Sequence, residues 1–572
     1  MKKATRILAL VTALVLLLSL TALASGEASG GSDEFNTAAS TSGEAENTAL
    51  FTIADGAVTA QDGNYTLAGE IGPDRADGIE LTIGDFTASG IQVTGGEYVI
   101  EDSVITHEVS LAETATTAGG YCAGVTDGLL TIRNSTLTSK GKGGVFGNYV
   151  VYCAENGTLV VIDSHIVQLG TAGDPEGLTD AVMEPPSNGG LLISGYSRAN
   201  MSMGVTKTYY YGSTVETDGW AAMSTDMTRD LSFYAYDSVG RGIHGGYGTY
   251  ADTSCKDWFY GSVLSGAELG AIISNNGEIH MAAAADATDE ALAYLPDGYT
   301  LSDDCLARDG RSVLEGGRHA LQIHSPEESR GATRGMIAVF EASDTELAAR
   351  EALYANATLV DWAEDYGPAV AEYIDFTRGA IFVVKSACAD IDLTRCTAES
   401  YSDTLLETVV NSDSMSCYAL KEHDMTGRGT ALTLTDCDIS GDVKAYDYQR
   451  SCAVELVGTT WSGAYETWTK DAWDAVWSDE AKADPLCYWV LDPAVYHDGT
   501  GSVSALTVDG ASTWIVTGES RLTSLTVEPG GIVEGIVTVD GVMTDVSAGG
   551  AWTGEIAVTP LNGSAEPSGE GS

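Results

Sequence analysis

Apolar and polar positions alternate along this chain in short runs, and the runs break at a recurring pair of small polar residues. The pair is Asp102-Ser103, Asn134-Ser135, Asp163-Ser164, Gly212-Ser213, Asp237-Ser238, Gly261-Ser262, Asp436-Cys437 and Gly458-Thr459, each with apolar residues on both sides. Each copy reads as a strand, a corner and a second strand. Leu130 and Ile132 alternate with Thr131 and Arg133, which puts one apolar side inward. Gly, Asn and Asp at the corners tolerate positive φ and bond their own backbone. The spacing from Ser213 to Ser238 is 25 residues, and from Ser238 to Ser262 it is 24. Strand–corner–strand units at such a period predict a solenoid whose successive turns pair as parallel strands about 4.8 Å apart. Longer spacings, 32 from Ser103 to Ser135 and 29 from Ser135 to Ser164, predict side loops, and the 49 residues from Ser164 to Ser213 suit two turns. The expected fold is all-β, a parallel β-helix interrupted by short helices. Residues 344–376 have helix-forming composition. Residues 469–483 place Trp473, Val476 and Trp477 on one helix face behind Thr469 as N-cap.

The ends read differently. Lys2, Lys3 and Arg6 precede an apolar run from Ile7 to about Leu20 and the small residues Ala22-Leu23-Ala24, so 1–24 is expected to be a secretory signal peptide. Residues 25–48 are rich in Gly, Ser, Ala, Glu and Thr, the composition of a disordered leader. The main coil is expected over 49–500, tighter coils over 501–560 and a polar tail over 561–572. No integral membrane anchor is expected after signal cleavage. Leu506-Thr507-Val508 returns 19 residues later as Leu525-Thr526-Val527.

Charge narrows the partners. With 28 basic and 82 acidic residues the net charge is −54. A field of that sign disfavours nucleic acid, anionic lipid and anionic polysaccharide. It suits neutral glycans, cations, basic proteins or plain solubility. Ten cysteines in an exported chain permit disulfides, yet Cys396, Cys417 and Cys437 lie about one turn apart and suit a stacked ladder of buried thiols equally well. No His/Cys set has metal-site spacing, so no metal site and no cofactor are expected. Calcium is the one ion the acidic corners suit, without an EF-hand or nonapeptide repeat to hold it.

The phrase Thr513-Trp514-Ile515-Val516-Thr517-Gly518 resembles the C-terminal coils of autotransporter passenger domains. Residues 90–560 resemble the right-handed parallel β-helix proteins that bacteria secrete. That superfamily holds pectate lyases, polygalacturonases, tailspikes and adhesin-like proteins. The resemblance implies the fold and leaves the activity open.

Candidate chemistry is sparse. Gly242-Ile243-His244-Gly245 and Asp303-Asp304 resemble the Gly-His-Gly phrase and Asp pair of polygalacturonases. However, Ile243 stands in place of Gly, and the pair follows the histidine where that family places it before. Carboxylates at i and i+2 of one strand have a spacing that suits inverting glycoside hydrolysis, and Glu216/Asp218, Asp390/Asp392 and Asp436/Asp438 qualify. With 82 acidic residues such pairs also arise from composition alone. Arg318 and His324, within Arg318-His319-Ala320-Leu321-Gln322-Ile323-His324, are candidates for carboxylate binding or acid–base work, or for ordinary ion pairing. Trp468, Trp473, Trp477, Tyr247 and Tyr250 are candidates for a sugar-stacking surface, or for a helix face packed on the coil. The expected function is an extracellular or cell-surface β-helix protein, adhesin-like or glycan-binding, with a glycan or a host or bacterial surface protein as partner. The alternatives are a secreted carbohydrate-active enzyme, either glycoside hydrolase or polysaccharide lyase, and a structural surface spacer.

Overall fold

A computed structural model describes residues 49–108 except 86, 120–140, 149–169, 198–316 except 218–220, 229, 243–246, 253 and 267–268, 380–409 except 401–402, 429–472 and 503–561. The expected helix at 344–376, together with His244, Arg318, His324, Trp473, Trp477 and the segments 1–24 and 25–48, lies outside the described residues.

The described chain is a parallel β-helix with three strand-bearing faces. One turn shows the plan. Leu231–Tyr236 lies on face A, the corner Asp237-Ser238 follows, Val239–Gly242 lies on face B, Tyr247–Asp252 on face C, and Cys255–Tyr260 returns to face A one turn on. Each strand pairs in parallel with its equivalent in the next turn. Long strands such as Leu269–Ala282 and Phe382–Thr394 pass from face C to face A in one piece. Exact register stacks like side chains into rows. Tyr210, Ala235, Phe259, Met281, Leu393, Leu434, Leu456 and Val508 form one inward row and are all buried. Alternation in sequence therefore becomes a continuous apolar column.

The corner phrase has a clear physical basis. The first residue of the pair is left-handed, with φ of 50° at Asp102, 43° at Asn134, 47° at Asp163, 49° at Asp237 and 51° at Asp436. Gly212 takes φ 56°, where an added Cβ would lie 2.6 Å from both Asp163 Oδ1 and the Tyr299 hydroxyl. The second residue turns its hydroxyl inward. Ser164 Oγ donates to Ile162 O at 2.7 Å and accepts from Ser135 N of the preceding turn at 3.1 Å. The same link runs Ser103–Ser135–Ser164–Ser213–Ser238–Ser262–Ser312, and again Cys437–Thr459–Ser512. These buried amides have no other partner available at a bend, so the hydroxyl column satisfies them.

Ser164 N donates directly to Ser213 Oγ at 3.1 Å, so these corners belong to adjacent turns and not, as the 49-residue spacing suggested, to every second one. The eight described cysteines are free and buried. Cys396 and Cys437 occupy successive corners, their thiols directed at Thr394 O and Thr435 O. These two are stacked free thiols, but they stand on directly adjacent turns, so the expectation that Cys396, Cys417 and Cys437 lie one turn apart is corrected: a single turn runs from Cys396 to Cys437, and Cys417 and Cys487 lie outside the described residues.

Both ends are closed by antiparallel strands. Ala49–Ala54 folds back on Ala57–Ala60. At the other end Ser504–Val508 continues the coil into Ser520–Val527, and Gly550–Pro560 then runs antiparallel to Ser520–Val527 and Ile532–Val539. Such strands cover the open edge of a sheet. The 19-residue repeat predicts continued parallel coils and does not reveal this closure.

Residues 283–311 leave face A at Ala282, fold across the outside of earlier turns and return at the Ser312 corner. They hold the two short helices, Ala284–Asp286 and Asp303–Ala307, the latter with Ser302 as N-cap. Asp237 pins this strap by accepting from Tyr299 Oη at 2.9 Å and from both Ser302 N and Ser302 Oγ. At 470–472 a helical turn begins, and Ala472 N donates to Thr469 Oγ1 at 3.2 Å, as expected of that N-cap. Among the described residues no helix is long and apolar enough to cross a membrane.

Candidate binding face

Outward residues of face A also stack in rows. One row reads Tyr209, Tyr234, Trp258, His280, Asp392 and Thr433. Its rings lie parallel: Tyr209 and Tyr234 have centroids 5.1 Å apart, Tyr234 and Trp258 4.9 Å, Trp258 and His280 5.3 Å. The strap covers the first part of this row. Tyr211 donates to Ala291 O, Tyr294 packs edge-on against Tyr209, and Lys207 pairs with Glu290 at 3.0 Å. Beyond the strap the row opens to solvent. The neighbouring outward row supplies Lys256, Glu278 and Asp390.

His280 is the centre of this group. Its Nδ1 lies 2.8 Å from Asp392 Oδ2 and its Nε2 3.5 Å from Glu278 Oε2, while Lys256 Nζ reaches Glu278 at 3.9 Å. Partial burial disfavours the imidazolium, but hydrogen bonds and charge from Asp392 and Glu278 outweigh it and raise the His280 pKa to about 9. The hydrogen bond from His280, against partial burial, in turn holds Asp392 below its usual range. Both groups are therefore ionised at neutral pH. General acid–base work needs a pKa near the working pH, so this histidine is suited to presenting charge. The pair stabilises the fold fully between about pH 4 and about pH 6.5; the contribution is lost as pH rises through about 9, where His280 deprotonates, and in acid, where Asp392 is protonated. A histidine-resolved NMR titration should show His280 changing near pH 9, and Asp392→Asn should return it toward the ordinary range. A wild-type midpoint near 6.5 would contradict the ion pair.

Asp390 and Asp392 thus share the outer side of face A, as the i, i+2 spacing predicts, and are both partly exposed. Asp436 and Asp438 do not share a strand side, because Asp436 is itself the left-handed corner residue and Asp438 begins the next face. Glu216 is bonded to His165 at 2.8 Å and to Arg241 at 3.5 Å, which makes it part of an ion-pair network on face B. Asp303 and Asp304 are exposed on the strap's short helix. Tyr247 and Tyr250 are both buried, in a cluster with Ile272 and Val383, so neither presents a free ring to a sugar. Trp468 is half-buried and stacks on Tyr446 at 3.9 Å. Tyr446 donates to Glu466 at 2.8 Å, and Glu466 stands in register with Lys444 and Glu407. Glu407 is fully buried, and burial pushes its carboxyl up to about 8.

Glu278, His280 and Trp258 do not belong to any motif. Their signal is the alternation Glu278-Ile279-His280-Met281, which marks the first and third residues as outward, but register alone shows which outward residues of other turns they meet. Among the described residues no group of three or more His, Cys, Asp or Glu could hold a metal ion. Comparison with family models, with curated proteins and with solved structures finds no match.

Proposed function

We propose that this chain is exported by residues 1–24 and acts at the cell exterior as an adhesin-like, glycan-binding β-helix. The observation that supports this reading most is the row of fixed charges on face A beside the strap. Lys256, Glu278, His280, Asp390 and Asp392 present donors and acceptors at the spacing of successive turns, and the His280–Asp392 pair stays ionised near neutral pH. Such an array suits hydroxyl-rich ligands, and the negative charge of the chain favours neutral ones. The ladder rings offer edges to a ligand, because both faces of Trp258 are covered by Tyr234 and His280. Recognition then rests on hydrogen bonds, not on stacking.

The test is retention of the full-length protein on an array of neutral plant, host and bacterial glycans, with mass spectrometry of the wash. Retention that falls about tenfold or more in Asp390→Asn or His280→Gln is expected, since hydrogen bonds to charged groups contribute about 1.5–3 kcal/mol each. Released oligosaccharides, abolished by Asp390→Asn, would replace this reading with a hydrolase.

A further inference from the structure

Directly beneath the ladder, one inward position breaks the apolar column. The inward row Thr208, Phe233, Asp257, Ile279 and Ile391 places a carboxyl between an aromatic and an aliphatic side chain inside the closed coil. Asp257 is 0 % exposed. Its Oδ2 accepts from Thr225 Oγ1 at 3.1 Å, and its Oδ1 has no hydrogen-bond partner among the described residues. The titratable groups around it are the Cys255 thiol on its own strand, Asp252 at the end of the preceding face C strand, and His280 on the far side of the sheet. None of them donates the two or three bonds that a buried carboxylate requires. Its immediate sequence neighbour is Trp258, and its partner in the next turn, Ile279, immediately precedes His280.

We propose that Asp257 is a proton-operated latch under the face A site: protonated, it is accepted in the coil interior; ionised, it loosens these turns and displaces Trp258 and His280. This regulation rests on the binding role of face A; the latch itself does not. Asp257 is 0 % exposed, so solvent reaches an ionised carboxylate only when neighbouring turns part, and the strands that would part are those carrying the outward ladder. Burial above all, opposed by Thr225, Cys255 and His280, raises the Asp257 pKa from 3.8 to about 8. The folded protein then holds a proton that the unfolded chain releases above about pH 4, so stability falls as pH rises from about 4 to about 8 and levels off beyond.

Hydrogen exchange of the full-length protein, corrected for the intrinsic rate, tests the latch. Peptides across 231–282 should open more readily with rising pH, by up to about tenfold per unit until about pH 8, relative to peptides across 504–527. Asp257→Asn should remove the rise below about pH 6.5, where the His280 pair adds no pH dependence of its own, and Thr225→Val, which deletes the donor, should extend the rise to higher pH. A flat wild-type profile, or a rise below about pH 6.5 that survives in Asp257→Asn, overturns the proposal. Glycan retention measured over the same range separates the two readings. Retention that falls in the wild type and holds in Asp257→Asn supports the coupling. Retention independent of pH while exchange rises overturns the coupling, and retention absent at every pH overturns the binding role of face A.

Discussion

Trp514→Ala is expected to destabilise the protein by about 3–5 kcal/mol, the range for emptying a buried aromatic site. Trp514 and Trp461 are both fully buried and lie stacked, with centroids 5.6 Å apart and planes 6° from parallel. Their indole nitrogens donate to Gly463 O at 2.9 Å and Gly441 O at 2.8 Å. Truncation removes the packing and leaves a buried carbonyl without its donor. In a solenoid each turn touches its neighbours alone, so the loss should be local. Exchange should rise across 460–463, 513–516 and 532–539 and stay unchanged across 97–133. Denaturant unfolding gives the size of the effect and exchange gives its place. Trp514→Phe should lose less, because it keeps most of the ring. A loss below about 1 kcal/mol would show that the pair is not a packing unit.

Ser238→Ala should cost about 1–3 kcal/mol although it removes a single oxygen. That oxygen accepts from Ser213 N at 3.2 Å and donates to Tyr236 O at 3.0 Å, and the alanine satisfies neither. The orphaned amide is buried at a bend, where a replacement partner is out of reach. Ser238→Thr should lose much less, because Thr459 performs the same role, with Cys437 N donating to its hydroxyl at 3.1 Å. Thermal and chemical denaturation of both variants decide the matter. Equal losses for alanine and threonine would locate the effect in corner shape, not in the hydrogen bond.

Several parts of this fold are legible in the sequence, for reasons these residues make plain. The corner pairs announce themselves because a left-handed residue followed by an inward hydroxyl is a local requirement, met by few residue types. Alternation such as Leu130/Thr131/Ile132/Arg133 is local too, and it assigned inside and outside correctly. Thr469 showed itself as an N-cap for the same reason. The turn count failed between Ser164 and Ser213, because spacing records how far apart corners are in the chain and not whether the residues between them add to the coil. The burial of Tyr247 and Tyr250 was equally invisible, since it depends on residues of other turns, among them Ala221, Ile272 and Val383.

The sequence by itself determined that this is an acidic coil of short strands with polar corners, because those signals depend on neighbours within a few residues. Tertiary structure decided the rest. It alone placed Asp392 against His280, 112 positions apart in the chain, and stacked His280 on Trp258. It alone closed the last coil with an antiparallel strand and set Asp257 inside the coil under the charged row. These contacts follow from register between turns separated by insertions of unequal length. Register is settled by backbone pairing across the whole coil, which no short stretch of residues encodes.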